Sequence, residues 1–251
     1  MSEYVLSPLP GLRVVELEET ASTNDYARRH APELRDVLTL VIAEFQSKGR
    51  GATGGWESKP GENLLFSLLT HPTQLPPTRM FRLSVAACLA ICRALCRFAP
   101  GCRIKWPNDI YHGDGKMAGI LIENELRGKQ ITDNIIGIGI NVNQQQFESD
   151  APNPTSLALV LGHKVERSLV LDAVVREFHI LHVMVQGDAW PEVFAEYKSL
   201  LYRKEGIHPF RDSDGIFQAS IVDVEQDGNL VLRTTLGETR RYGFKEVQFV
   251  I

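Results

Sequence analysis

The run Leu38-Thr39-Leu40-Val41-Ile42-Ala43-Glu44-Phe45 is apolar almost throughout and β-branched in its middle. A strand with one wet face alternates, whereas a near-continuous apolar run belongs to a strand covered on both faces. This segment therefore predicts a central, doubly buried strand and requires packing layers above and below it. Its C-terminal end runs directly into Gln46-Ser47-Lys48-Gly49-Arg50-Gly51-Ala52-Thr53-Gly54-Gly55-Trp56, with four glycines between positions 49 and 55.

The flanking pattern fits a mixed α/β order. Residues 12–19 alternate like a strand, and a helix is expected from Asn24 to His30, before Pro32. Further strands are expected at 63–69, 102–105, 116–126 and 131–140, with helices over 78–98, 166–186 and 190–201. From Tyr202 the character changes to short alternating runs split by Asp214-Gly215, Asp227-Gly228 and Leu236-Gly237, the signature of a small β-barrel or sandwich. The expectation is an α+β chain, a mixed β-sheet with flanking helices, divided into residues 1–201 and 202–251.

Of the 251 residues, 43% are hydrophobic and 23% charged, with net charge −4. That balance does not suggest a chain built to coat nucleic acid or an anionic membrane. The opening MSEYVLSPLP has no basic segment followed by an apolar run, and no apolar stretch reaches the ~20 residues that span a bilayer, so a cytoplasmic protein is expected. Cys88, Cys92 and Cys96 repeat at a spacing of four along one amphipathic helix, with Cys102 just beyond. Without a CxxC pair or a nearby histidine they read as reduced core thiols rather than a metal or disulfide site.

Five segments carry candidate chemistry. The 46–56 loop exposes backbone amides beside Lys48 and Arg50, which favours a phosphate or carboxylate; a flexible surface loop is the alternative. Lys105-Trp106-Pro107-Asn108-Asp109 is either an ordinary turn or a corner where lysine, amide and carboxylate hold a nucleotide with its Mg²⁺. Gly115-Lys116-Met117-Ala118-Gly119-Ile120-Leu121-Ile122-Glu123 starts a strand with a lysine that either points into a cleft or sits on an exposed turn. Ile136-Gly137-Ile138-Gly139-Ile140-Asn141 interrupts a strand with two glycines, marking a bulge or a close approach to the backbone. Ser22-Thr23-Asn24 opens the first helix, with Asp25 placed for a capping-box-like arrangement. Neither a complete dinucleotide fingerprint nor a Walker loop is present.

The order of these segments (STN, EFQSKGRG, KWPNDI, GKMAGILIE, GIGINVN) resembles the biotin protein ligase family from about Thr20 to Asn143, and the region after Tyr202 resembles that family's SH3-like domain. The resemblance implies a class II synthetase-like catalytic fold, biotin and ATP as substrates, Mg²⁺, and a biotin carboxyl carrier protein domain as partner. It implies that Ser22, Thr23, Asn24 and Gln46 read the ureido ring of biotin, that Gly49, Arg50, Gly119 and Leu121 close around ring and tail, and that Lys116 faces the carboxylate. It further implies that Gly137 and Gly139 let the ligand lie on the sheet. Trp56, Lys105, Asn108, Asp109 and Asn141 fall on the nucleotide side, with Asp109 the Mg²⁺ contact; Lys116, Lys105 and Arg50 are the catalytic cations. Sheet-edge homodimerisation is a further implication. A lipoate or octanoate ligase or transferase shares this architecture, but its arginine-plus-triple-glycine signature is missing; a non-catalytic biotin-binding protein is disfavoured by Lys105, Asp109 and Lys116. Long members carry a DNA-binding winged helix before the STN segment, and the 21 residues before Ser22 are too few for one, so no nucleic-acid partner is expected.

The chain departs from the family's pattern after GRG, where Ala52, Thr53 and Gly55 replace long polar side chains and the loop is one residue shorter. Retention of a biotinyl-adenylate should then depend on Trp56 and loop backbone. Adenylate release measured without carrier should be slower in Ala52→Arg than in the unaltered chain; equal release would count against this.

Overall fold

The computed structural model describes residues 4–36, 38–51, 55–56, 58–72, 75–128, 130–148 and 153–251. Ala52 and Thr53 lie outside these. The strands are β1 (Leu12–Thr20), β2 (Leu38–Gln46), β3 (Leu64–Thr70), β4 (Cys102–Lys105), β5 (Asp109–His112), β6 (Gly115–Arg127), β7 (Gln130–Ile140), β8 (His208–Asp212), β9 (Gly215–Val224), β10 (Leu230–Thr234), β11 (Thr239–Tyr242) and β12 (Gln248–Phe249). The helices are α1 (Thr23–His30), α2 (Phe81–Phe98), α3 (Leu157–Leu161), α4 (Arg167–Met184) and α5 (Trp190–Ser199).

The first seven strands form one mixed sheet in the order β1-β2-β3-β7-β6-β5-β4. Only β1 and β2 run parallel, joined through α1; the remaining pairs are antiparallel. Because side chains alternate between faces, the sheet sorts its residues by parity. One face presents Leu40, Ile42, Phe66, Leu68, Ile136, Ile138 and Ile140, which pack into a single cluster with Val85, Leu89 and Cys92 of α2 and Val174 and Phe178 of α4. The other presents Val41, Leu69 and Ile135 to Ala27 of α1 and to Ala31, which caps its C-terminal end. Both layers demanded by the apolar run of β2 are therefore present, and Leu38–Ala43 is buried throughout.

Several expectations need correction. β2 is second from the edge, and β7 lies at the centre; Gly137 and Gly139 dilute the apolar signal of β7 although Ile135, Ile136 and Ile140 are fully buried. The 78–98 helix is a 3-10 turn at Pro77–Arg79 followed by α2. β5 and α3 had no expected counterpart. The turn before β5 contains a cis Trp106–Pro107 bond.

The last five strands form a second, antiparallel sheet in the order β11-β10-β9-β8-β12. It is compatible with an SH3-like barrel but is not closed. Its Phe210, Ala219, Ile221 and Leu232 belong to the same apolar cluster as the main sheet. Trp106 donates its indole N–H to Gly228 O at 2.9 Å, and Lys198 pairs with Asp223 at 3.0 Å. The open edge of β4 is covered: Ile104 N–H donates to Leu200 O and Tyr202 N–H to Ile104 O, both at 2.8 Å. Among the described residues no helix is long and apolar enough to cross a membrane.

Leu89, fully buried between sheet and α4, tests the core. Leu89→Ala should cost about 3 kcal/mol, read as a lower urea midpoint with an unchanged slope.

Candidate active site

The α1 side of the sheet is where register builds a cleft. Gly139 of β7 pairs with Gly119 of β6, and Gly119 with Asp109 of β5; one step along, Ser67 of β3 pairs with Gly137, and Gly137 with Leu121. Two adjacent glycines leave a strip of bare backbone, bounded by a carboxylate at one end and a hydroxyl-bearing corner at the other. A cavity of about 40 Å³ opens over this strip. Ser22, Thr23, Asn24, Gln46 and Arg50 line it at the α1 end; Asn108, Asp109 and Lys116 line it at the other, and Trp56, Gly119, Leu121, Gly137 and Gly139 lie between. Asn24, Lys116 and Asp109 thus share one cavity.

At the α1 end the helix start is fixed by its own side chains. Ser22 is the N-cap, its hydroxyl accepting from Asp25 N at 3.4 Å. The reciprocal half of a capping box does not form, because the Asp25 carboxylate goes to Arg28 at 3.0 Å and Arg50 at 2.5 Å. Thr23 N–H donates to Gln46 Oε1 at 2.7 Å, which turns the Gln46 oxygen toward the helix. Asn24 is 3% exposed, and both ends of its amide are engaged. Ser67 donates to its oxygen at 2.6 Å, while Nδ2 donates to Glu123 Oε2 at 2.8 Å and to Leu121 O at 3.3 Å. Asn24 therefore presents shape to a ligand more than free hydrogen-bonding capacity, and Glu123 and Ser67 are partners that the motif did not single out. Arg50 lies at this end, between Asp25 and Glu123, the latter at 3.7 Å.

At the other end Lys116 Nζ sits 2.7 Å from Asp109 Oδ1, and Lys105 Nζ 4.0 Å from Oδ2. On an ideal strand Lys116 would share a face with Ala118 and Ile120, which are buried in the core. A β-bulge resolves this: Ile110 pairs with Ala118 but Tyr111 with Lys116, so Met117 is an extra residue and Lys116 is turned to the cleft. Lys105 stands against the rings of Tyr111 and Phe249, at 5.3 and 5.1 Å. Burial pulls its pKa below the ordinary lysine value, partly offset by Asp109. Phe249 comes from the second sheet, so both sheets shape this end. Asn108 donates to Ile120 O at 2.5 Å, holding the corner to β6.

Trp56 covers the middle. A Cβ built at Gly119 would fall 2.8 Å from its ring and one at Gly139 closer still, and a Cβ at Gly137 would collide with the Asn24 amide. The glycines thus accommodate this chain's own side chains against the sheet, where the sequence expectation put a ligand, and Trp56 lies over the strip between the two ends. Lys116 Nζ is 5.7 Å from the indole. The indole N–H is buried without a partner among the described residues, a cost of ~1–3 kcal/mol. Three expected residues do not line the cavity. The Gly49 carbonyl accepts from Trp56 N at 3.0 Å; Lys105 lies beside Asp109, Tyr111 and Phe249; Asn141 donates to Thr155 O at 2.9 Å.

An elongated cleft with a polar corner, its charges paired, at one end and two lysines around a carboxylate at the other is suited to a small acid meeting a phosphate-bearing partner end to end. Residues 17–141 match the model of the biotin/lipoate A/B protein ligase family. The bifunctional ligase/repressor BirA of Bacillus subtilis is 30% identical over 235 residues, covering 90% of this chain and 70% of that protein. The biotin–[acetyl-CoA-carboxylase] ligase of Paracoccus denitrificans is 30% identical over 235 residues, covering 88% and 94% respectively. Among solved structures, the biotin protein ligase from Aquifex aeolicus in complex with biotin and ATP has a TM-score of 0.76 at 24% identity, covering 94% of this chain and 99% of that one. The chain belongs to the biotin/lipoate A/B protein ligase family.

If Trp56 rests on the bare strip, Gly139→Ala should dislodge it. Its fluorescence, isolated by subtracting the spectrum of a Trp56→Phe counterpart in each background, should shift to the red; an unshifted spectrum would refute the packing.

Proposed function

We propose that this chain is an ATP-dependent biotin protein ligase, which forms biotinyl-5'-AMP from biotin and ATP and transfers the biotinyl group to a lysine of a biotin carboxyl carrier protein domain. The observation that carries this reading is the single cavity shared by Asn24, Lys116 and Asp109 over the paired glycines. The name of the Paracoccus relative, biotin–[acetyl-CoA-carboxylase] ligase, supports biotin and a carboxylase carrier over lipoate or octanoate, as does the missing triple-glycine signature. A cytoplasmic address, a division at residue 201/202 and dimerisation through a sheet edge are part of the same proposal.

In this reading the ureido ring sits in the corner made by Ser22, Thr23 and Gln46, and the valeryl tail runs over Gly137, Gly119 and Gly139 toward Lys116. The tail takes the strip that Trp56 covers, and the displaced indole, its N–H at last able to find a partner, moves to the nucleotide side. The biotin carboxylate attacks the α-phosphorus of ATP, the bond to the bridging oxygen breaks, and pyrophosphate leaves. The carrier lysine amine, as the free base, then attacks the acyl carbon of the mixed anhydride and expels AMP. No protein nucleophile is needed, so the chain's work is positioning and charge. Lys116, held 2.7 Å from Asp109, is placed to stabilise charge where carboxylate and α-phosphate meet, and Lys105 to hold the phosphates. Arg50, occupied by Asp25 and Glu123, takes a catalytic part only after leaving those carboxylates.

Among the described residues no three acidic, histidine or cysteine side chains form a metal cluster. Mg²⁺ is commonly held by one or two carboxylates plus the substrate's phosphates, and Asp109, flanked by lysines and facing the cavity, fits that mode. When bound, the ion would neutralise charge on the leaving pyrophosphate.

Biotin-dependent ATP–pyrophosphate exchange, run beside lipoate and octanoate, tests the whole reading; exchange only with lipoate or octanoate would overturn it. Lys116→Ala should lower biotin-dependent exchange by at least ~100-fold with an unchanged circular dichroism spectrum, because Lys116 is part of the cleft rather than the core. Near-normal exchange in that variant would remove Lys116 from its role.

A further inference from the structure

The cysteines have no part in this chemistry, yet the fold gathers three of them at one point. Cys92 and Cys96 stand one turn apart on α2, and Cys102 opens β4 after the chain reverses through Ala99-Pro100-Gly101. The thiols of Cys92 and Cys96 both point at one acceptor, Cys102 O, at 3.6 and 3.8 Å, and Cys102 Sγ turns back to Ala99 O at 3.3 Å. Cys92 and Cys102 are fully buried, whereas Cys96 is half-buried and reaches the surface. The spacing of four in the sequence already put Cys92 and Cys96 on one helical face, but Cys102 joins them only through the turn between helix and strand.

The environments differ in a way that divides labour. Hydrogen bonds from the Cys92 thiol, then from the backbone at Cys102 and Gly101, draw the Cys96 thiol down to about 6, against the burial that opposes them. Burial pushes Cys102 up to about 12, and its neighbour Cys96 adds to that. Cys92 also lies above the ordinary range, chiefly through its hydrogen bond to Cys96. A half-buried thiol that ionises more readily than its buried neighbour is the arrangement of an attacking and a resolving cysteine.

We propose that Cys96 and Cys102 form a hydroperoxide-responsive dithiol that closes reversibly into a disulfide. The Cys96 thiolate attacks the terminal oxygen of a hydroperoxide; the O–O bond breaks, the alkoxide or hydroxide leaves and takes a proton from water, and Cys96 becomes a sulfenic acid. Cys102 sulfur then attacks Cys96 sulfur, the S–O bond breaks, and water departs with the Cys102 proton. The two thiols supply the two electrons that reduce the peroxide. Cys102 is the resolving partner because a short turn, in which Gly101 has φ +102°, returns it to Cys96, whose sulfur lies 3.8 Å from the Cys102 carbonyl oxygen. Cys92 projects from the same helical face as Cys96, and bridging those two would require the last turns of α2 to unwind.

The test needs no ligase activity, so it stands apart from the function proposed above. The folded, reduced protein is treated with stoichiometric hydrogen peroxide and mapped by mass spectrometry. The expected product has lost two hydrogens, links the Cys96 and Cys102 peptides, and reverts with dithiothreitol. In Cys102→Ser the expected product is a Cys96 sulfenic acid trapped by dimedone. Iodoacetamide labelling of the untreated protein guards against misfolding of variants: Cys96 should react roughly tenfold or more faster than Cys88, Cys92 or Cys102. A Cys92–Cys96 link, direct passage of Cys96 to sulfinic acid, or uniform labelling of all four thiols would each overturn the proposal.

Discussion

The register between β6 and β7, which sets Gly119 directly against Gly139 and Leu121 against Gly137, is the constraint on which the site depends. Strand pairing has a period of two, so a slip of one residue would turn these glycines into the core and present Ile120 and Ile138 to the cleft. The core prevents that slip. Ile136, Ile138 and Ile140 on one face of β7 are locked into the cluster with α2 and α4, and the same alternation forces Gly137 and Gly139 outward. The bare strip is thus held open by the apolar packing behind it.

What stands on the strip is set by charge and capping. At one end α1 begins with a serine cap, and its second residue, Asn24, is pinned flat over Gly137 by Ser67, Leu121 and Glu123. At the other, three charged groups converge although two of them, Lys105 and Lys116, repel each other. Asp109 between them makes the cluster tolerable, and a polyanionic substrate would relieve the remaining repulsion. The burial that lowers the pKa of Lys105 also strengthens its attraction for a phosphate, since both effects come from exclusion of water.

The second sheet is more than an appendage. Phe249 forms part of the wall around Lys105, the Trp106 indole that follows it is tied to Gly228, and the two sheets share one apolar cluster. The corner that carries Asn108 and Asp109 is therefore braced from behind by residues more than a hundred positions away in the chain.

The sequence by itself determined the layers and most of the chemistry: the apolar run of β2, the amphipathic α2, the strand-breaking glycines, and the lysines and carboxylate in polar turns. These are local properties, set by periodicity, by backbone freedom and by which side chains can be left in a polar turn. The centre of the sheet was not local, because glycines weaken the apolar signature of β7 while leaving its burial intact. Nor was the face on which Lys116 appears. Counting from Gly119 puts it on the wrong side, and only the extra residue at Met117, opposite Ile110 and Tyr111, corrects it. Trp56 over the glycines and Cys102 beside Cys96 were likewise decided in three dimensions, since each depends on where a turn returns the chain rather than on the residues within it.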